Sequence, residues 1–280
     1  MTTLIQEIII ETLGVKPSIN AKDTATKLVR FLAQYLRKSG LDTYVLGVSG
    51  GVDSTVAARL AQLAVQQNRM SGYDCKFIAV RLPYGVQRDE GDAQRALKFI
   101  DPDETKTINI RAASDAMLSE VSAQQDGQFF KDAAHEDFVL GNIKARQRMI
   151  AQYAIAGATK GCVIGTDHAA EAVMGFFTKF GDGAADICPL AGLTKGQVRE
   201  IGAYLGAPSE LVNKPPTADL ENLNPGKLDE EAYGVSYDTI NAYLRGEVID
   251  AKDEEIIFNA YANTQHKRAL PVTPAEFDDL

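Results

Sequence analysis

No stretch of this chain offers 18 consecutive apolar residues, and nothing near its start reads as a secretory leader. A membrane partner is therefore not expected, and a cytoplasmic protein is. Cysteine is scarce: Cys75, Cys162 and Cys188 stand far apart, with no C-x-x-C pair. That spacing argues against a disulfide framework, a zinc site or a persulfide pair. Cys75 and Cys162 fall in apolar, strand-like runs and are expected in the core. Basic charge is also short. The 29 Lys and Arg residues against 38 Asp and Glu leave a net charge of −9, which suits a nucleic-acid backbone poorly. There is no internal repeat and no low-complexity tract. Apolar residues are plentiful at 45% of 280, enough to fill the core of an α/β protein.

The most informative stretch is Val45-Leu46-Gly47-Val48-Ser49-Gly50-Gly51-Val52-Asp53-Ser54-Thr55. Tyr44 to Val48 reads as a short buried strand and Val56 to Leu63 as a helix. A strand that turns through paired glycines into a helix aims unpaired N–H groups and the positive helix end at one point. That point favours an anion, phosphate above all. No Lys follows the glycines, so the stretch is not a Walker A loop, and the glycine spacing is wrong for a dinucleotide fingerprint. Asp53 is the unusual member. A carboxylate beside bound phosphate is repelled unless a cation lies between them, which points to Mg²⁺. The plainer alternative is a tight turn in which Ser49 and Asp53 are caps.

Further strands are expected over Lys76–Leu82, Lys106–Ile110 and Gly161–Gly165, in a mainly parallel sheet of about five strands with helices on both faces. Asp137–Ala158 reads as the longest helix, with Val139, Ile143, Ile150 and Ala154 as its apolar stripe and Arg146 set among them. A guanidinium there needs a counter-ion or a ligand. Gly165-Thr166-Asp167-His168-Ala169-Ala170-Glu171 follows the last strand. Thr166 and Asp167 suit a helix start, and Glu171 would return toward the Gly-Gly loop as a second Mg²⁺ carboxylate, or else simply complement the helix dipole. His168 shows no partner in the sequence and is expected on the surface or behind the ligands. Phe176 to Asp186 is an aromatic, Gly-rich loop suited to acceptor recognition, with Lys179 and Asp186 as its charged candidates. Thr194-Lys195-Gly196-Gln197 is a capping box whose Lys195 sits at the positive helix end and asks for a nearby anion. Pro215 and Pro216 forbid regular structure after Lys214. Asp229–Arg245 and Asp253–Asn263 return to helix. Thr264 to Arg268 is a compact basic cluster, able to cap a helix or to meet phosphate.

In order along the chain, the Ser49–Ser54 loop resembles the pyrophosphate loop of the ATP pyrophosphatases. The ordered set identifies the resemblance more narrowly. It comprises that loop, Gly165–Glu171, Phe176–Gly183, Pro189-Leu190 with Leu193-Thr194-Lys195, Lys214–Leu220 and His266-Lys267-Arg268. This set resembles the ammonia-dependent NAD synthetases over essentially the full length. The resemblance implies one domain over residues 1–280, with a doubly wound, Rossmann-like fold of the adenine nucleotide alpha hydrolase kind. It implies an ATP cradle at Gly47, Val48, Ser49, Gly50, Gly51, Val52, Asp53 and Ser54, with Thr166, Lys195 and Thr217 also on ATP. It implies Mg²⁺ on Asp53 and Glu171, and deamido-NAD on Arg146, Lys179, Asp186, His266 and Lys267. Family members often carry Gln where this chain has Val52, so any contact made by that amide is absent here.

The implied reaction is ATP-dependent amidation of deamido-NAD by ammonia, through an adenylate, in a homodimer. No side-chain nucleophile is required, and no residues are left for a glutaminase domain. The segments 122–135 and 208–226 are expected lids that shield the adenylate from water. Two alternatives remain at this level: another ligase of the same superfamily, or a non-catalytic nucleotide-binding protein.

Overall fold

Strands buried on both faces must be apolar at successive positions, and the central strand here, Thr-Tyr-Val-Leu-Gly, meets that demand with its first four residues buried. The computed structural model describes residues 3–86, 90–125, 129–217, 222–223, 226 and 228–274. Ala218, Asp219 and Leu220 of the proline-rich motif, and parts of both expected lids, lie outside them.

In chain order the elements are α1 (Leu4–Leu13), α2 (Ala21–Ser39), β1 (Thr43–Gly47), α3 (Val52–Met70), β2 (Lys76–Arg81), α4 (Glu90–Ile100), β3 (Glu104–Thr107), α5 (Arg111–Ser122), α6 (Ala133–Ala158), β4 (Gly161–Val163), α7 (Ala169–Met174), α8 (Lys195–Tyr204), α9 (Ser209–Val212), α10 (Asp229–Tyr233), α11 (Tyr237–Leu244), α12 (Ala251–Asn263) and α13 (Gln265–Arg268). The described strands form one parallel sheet in the order β3-β2-β1-β4. Four strands are found among the described residues where about five were expected. Beyond β4, pairing continues among the described residues as a single parallel bridge between Ile164 and Ile187.

Alternation along the strands fills both faces. Tyr44 and Leu46 of β1, with Phe77 and Ala79 of β2, join the core beneath α2, α3 and α8. Val45, Ile78 and Val80 point the other way, onto Ala156 of α6 and Ile110. Each such aliphatic side chain contributes roughly 2 kcal/mol by leaving water. Cys75 and Cys162 are buried, as expected. Helices α1, α7, α11 and α12 close a third apolar cluster through Ile9, Val173, Tyr243 and Ile257. The outer strand β3 is largely exposed and charged, and Glu104 is bridged by Lys76 at 2.7 Å and Lys106 at 2.9 Å. A charged edge of this kind discourages pairing with a second sheet.

Two expectations about helices need correction. Asp229–Arg245 is two helices, because Gly234 takes a left-handed φ of 73° and Ser236 then caps α11. The stripe Val139, Ile143, Ile150, Ala154 does not face the sheet. Ile150 and Ala154 are exposed, and α6 instead buries Leu140, Gly141, Ala145 and Ala156. Small residues let the helix approach the strands closely, so the inward face is the less hydrophobic one. Arg146, on the outer stripe, is exposed and donates to the Lys179 carbonyl at 3.3 Å.

Asp103 fixes the start of β2. It accepts from the Phe77 N–H at 2.8 Å, Arg69 at 2.8 Å and Gln62 at 3.3 Å. Burial alone would raise its pKa; these hydrogen bonds outweigh burial and hold the carboxyl below the usual range. A depressed folded-state pKa gives stability that is present above the unfolded carboxylate pKa of about 4 and is lost as pH falls. Asp103→Ala is expected to cost about 2 kcal/mol at neutral pH. Urea unfolding should show that loss shrinking as the pH is taken toward 3.

Candidate active site

The strand order changes direction at β1, since α3 leads outward to β2 while the chain returns to β4 on the other side. Ligands of open α/β sheets gather at such a switch point, beyond the strand carboxyl ends. Here the loops after β1 and β4 frame a cavity of about 480 Å³.

The first wall is the loop into α3. Gly50 has φ of 92°, and a Cβ there would lie 2.8 Å from the Ala93 backbone nitrogen. Both facts require glycine. Gly51 is the N-cap of α3 with no side-chain cap bond, so the first-turn N–H groups face the cavity mouth without an internal acceptor. Neither Ser49 nor Asp53 caps this helix. Thr55 instead donates to the Gly51 carbonyl at 2.7 Å, while Ser49 and Ser54 hydroxyls lie 3.2 Å apart. On the opposite side, Gln152 of α6 accepts from the Gly47 N–H at 2.7 Å and ties the loop to the helix.

The second wall follows β4. His168, not Thr166 or Asp167, is the N-cap of α7, its side chain accepting from the Glu171 N–H. The third is the start of α8, where Thr194 and Gln197 complete the capping box. The Leu193 carbonyl receives the Ala169 N–H at 2.8 Å, which draws α8 against α7.

These walls bring Asp53, Glu171, His168 and Lys195 together. Lys195 Nζ donates to Asp53 Oδ2 at 2.6 Å and lies 3.9 Å from Glu171 Oε1, with its side chain only 2% exposed. The anion that Lys195 asks for at the positive helix end is therefore Asp53, 142 residues earlier in the chain. Tyr237 presents its ring face 5.0 Å from Nζ. Burial would raise the Asp53 pKa, but Lys195 and His168 overcome it and hold the carboxyl well below its usual range. Burial would lower Lys195, and the Asp53 and Glu171 carboxylates raise it instead. His168 is pushed up to about 9: burial opposes protonation, and Glu171 and Asp53 more than offset it.

One oxygen in this cluster is poorly satisfied among the described residues. Asp53 Oδ1 is buried and accepts no well-formed hydrogen bond, with His168 Nε2 3.4 Å away. One donor atom each of Asp53, His168 and Glu171 lies within 4.8 Å of the others. Two carboxylates with a spare buried oxygen form a fitting set for a hard divalent cation that takes further oxygen ligands from phosphate and water.

The cavity is lined by Gly47, Val48, Ser49, Gly51, Val52, Asp53 and Ser54 of the loop, and by Thr166, Glu171, Lys195, Thr217 and Lys267. Gly50 serves behind them. Arg146, Lys179 and His266 are not in the lining but are strung together at the surface. Arg146 contacts the Lys179 carbonyl, and Lys179 Nζ donates to the His266 carbonyl at 2.5 Å. Lys267 beside them donates to the Gly175 and Phe177 carbonyls at 2.8 and 2.9 Å. Asp186 stands apart, its Oδ2 accepting from the Val163 N–H at 2.7 Å at the end of β4.

His168 is buried behind the two carboxylates, the second of the two places expected for it, three residues before Glu171. Two further residues were not read from the sequence as part of this site. Gln152 lies on the small-residue face of α6. Asp229 lines the cavity, accepts from Tyr237 Oη at 3.0 Å and keeps a buried Oδ1 with no hydrogen-bond partner among the described residues. Burial pushes its pKa up to about 6, against the pull of Tyr237 and Lys195.

The chain matches the family model described as NAD synthase over residues 24–271. It is 57% identical over 261 residues to the NH(3)-dependent NAD(+) synthetase of Burkholderia pseudomallei (strain 1106a), covering 93% of this chain and 91% of that protein. The crystal structure of NAD+ synthetase from Burkholderia pseudomallei superposes with a TM-score of 0.82 at 54% identity, over 95% of this chain and 96% of that one. The NMN synthetase from Francisella tularensis is also similar, with a TM-score of 0.79 at 36% identity over 92% of this chain and 99% of its own.

Removing Lys195 leaves Asp53 buried beside Glu171 and without its cation. Lys195→Met should therefore lower unfolding free energy by about 3 kcal/mol, as loss of one partner of a buried pair does. The double variant Asp53→Asn/Lys195→Met should recover most of that loss in the same denaturant titration. The pair's contribution is present above the unfolded Asp pKa of about 4, because the Asp53 shift is downward, and below the unfolded Lys pKa of about 10, because the Lys195 shift is upward. It should be flat across neutrality.

Proposed function

The chain belongs to the NAD synthase family, and from that membership we propose that it amidates deamido-NAD with ammonia and ATP to give NAD, AMP and pyrophosphate. It is a ligase that forms a C–N bond. The observation that carries the site assignment is the buried Lys195–Asp53 contact at 2.6 Å, which joins the phosphate-type loop after β1 to the first turn of α8 at the mouth of the cavity.

Chemistry follows from placement. The nicotinate carboxylate attacks the α-phosphorus of ATP, the bond to pyrophosphate breaks, and an acyl adenylate forms. Ammonia attacks the acyl carbon, AMP leaves, and the surplus proton passes to solvent. No covalent enzyme intermediate is needed. Gly47 to Ser54 cradle the phosphates through backbone N–H groups and the α3 dipole. Thr166 and Thr217 contact ATP, and Lys195 offsets charge that gathers on phosphate oxygens. Asp53 and Glu171 would hold Mg²⁺, which when bound supplies further neutralisation of phosphate charge. Arg146, Lys179, Asp186, His266 and Lys267 are assigned to deamido-NAD. The hydrogen-bonded string of Arg146, Lys179 and His266 supports three of these. Asp186 would have to act while still holding the Val163 N–H.

The proposal extends to a cytoplasmic homodimer and to one domain over residues 1–280. The outward apolar stripe of α6 supports the dimer: Ile150 is 51% exposed on a long helix. Ile9 of α1 and Ile257 of α12 share one cluster, which supports the single domain. The segments 122–135 and 208–226 are proposed lids. Asp137 supports this for the second, since it accepts from the Asn222 and Leu223 N–H groups at 2.8 and 2.7 Å.

Pyrophosphate release with ATP, Mg²⁺ and ammonium tests the proposal. Release should require deamido-NAD, and Asp53→Asn should lower it by about a hundredfold or more, since it removes both a cation ligand and the partner of Lys195. Turnover of nicotinate mononucleotide in preference to deamido-NAD would replace the substrate. Ile150→Glu should shift the particle from dimer to monomer mass in light scattering.

A further inference from the structure

We propose that His168 is a positioning residue that sets the spacing of the Asp53 and Glu171 carboxylates for a divalent cation, and that it is not itself a ligand. This role rests on the metal function proposed for those two carboxylates.

His168 has no solvent-exposed side-chain surface. Its two ring nitrogens do different work. Nδ1 faces the Glu171 N–H at 3.4 Å and caps α7, a place usually held by Ser, Thr, Asp or Asn. Nε2 faces the site, 3.4 Å from Asp53 Oδ1 and 3.4 Å from Glu171 Oε1. Lys195 Nζ is also 3.4 Å from Nε2, and has its short hydrogen bond to Asp53 Oδ2.

The cap at Nδ1 and the two carboxylates at Nε2, against the Lys195 ammonium alone, favour hydrogen on Nε2. A metal ligand needs a bare Nε2, which in neutral imidazole puts the hydrogen on Nδ1. That hydrogen would point at the Glu171 N–H. In the other neutral tautomer Nδ1 accepts from Glu171 and Nε2 carries the hydrogen. In the imidazolium Nε2 carries it too, at the cost of the Nδ1 cap. With two carboxylates facing Nε2, either form presents an N–H between them. His168 therefore attracts two groups that repel each other, one from α3 and one from α7. By filling the third corner of the cluster it leaves a cation to complete its shell with phosphate oxygens and water. Groups that orient metal ligands in this way commonly change metal affinity by about 10- to 100-fold.

Asn and Gln separate the two nitrogens. The Asn side-chain oxygen reaches where Nδ1 sits and keeps the cap, but nothing replaces Nε2–H. The Gln amide reaches where Nε2 sits and restores the donor. The experiment titrates Mn²⁺ into the full chain with α,β-methylene-ATP, a non-cleavable analogue, and reads bound Mn²⁺ by electron paramagnetic resonance. His168→Asn should weaken Mn²⁺ binding by about tenfold, with His168→Gln within about threefold of the native chain. Thermal melting of the metal-free His168→Asn protein should stay close to native. Pulsed resonance on the native complex should show no directly coordinated nitrogen. Native-like affinity in His168→Asn would overturn the proposal, as would loss of affinity that Gln does not restore. A coordinated nitrogen signal in the native chain would make His168 a ligand and also overturn it, whether or not the variants fold. Asp53→Asn is the control: unchanged Mn²⁺ affinity there would remove the metal function itself, and the positioning role with it.

Discussion

A single buried contact, Lys195 Nζ on Asp53 Oδ2, holds together segments that the chain supplies from far apart. A Lys at the first position of a helix is unfavourable, and a carboxylate beside a phosphate-type loop is unfavourable too. Each removes the other's conflict, and neither is stable at this depth alone. Apolar packing sets α8 against α3, and this pair fixes the polar corner of the cavity where Glu171 approaches. Tyr237, Tyr233 and Asp229 form a hydrogen-bonded layer behind it, with Tyr233 Oη 3.0 Å from Tyr237 Oη. The polar cluster is thus backed by aromatic rings on the side away from solvent.

Most of the fold could be read from local pattern. The apolar run before Ser49, the Gly-Gly turn and the capping box at Thr194 each carry their own mechanism within a few residues, and each forms as expected. The ends of three strands differ from expectation by one or two residues, the scatter of hydrogen-bonded ends, and β3 starts two residues earlier and ends three residues earlier than expected. Errors arose where a residue's environment is assembled from distant segments. Two of the partners of His168, Asp53 and Lys195, come from α3 and α8, and only Glu171 is near in sequence. An apolar stripe usually marks the core side of a helix, whereas α6 nears the sheet through Gly141 and Ala145 and exposes Ile150. Gly234 was overlooked as a break because the apolar spacing continues across it.

The residues proposed for the site divide in the same way. Those on the Gly-Gly loop, with Thr166, Glu171, Lys195, Thr217 and Lys267, were proposed from turn and cap chemistry or from the family's ordered motifs, and all but Gly50 line one cavity. Arg146, Lys179 and His266 converge only through carbonyl contacts on the outer surface, a relation that no spacing rule discloses. Asp186 fills a backbone vacancy beside β4, where the sheet dwindles to one bridge and the strand N–H needs a side-chain acceptor.

The approach of α12 to the turn after α7 has a consequence for how the sequence can change. A methyl group on Gly175 would lie 2.2 Å from Thr264 Oγ1, and Gly175 itself adopts φ of 60°. Lys267 and Arg268, just beyond Thr264, donate to the carbonyls of Gly175, Phe177 and Ala172. Positions 175 and 264 are therefore bound together as variables. A library that varies 175 alone meets Thr264 at once, and a walk toward new acceptor recognition in the 176–186 loop has to carry the 264–268 segment along with it.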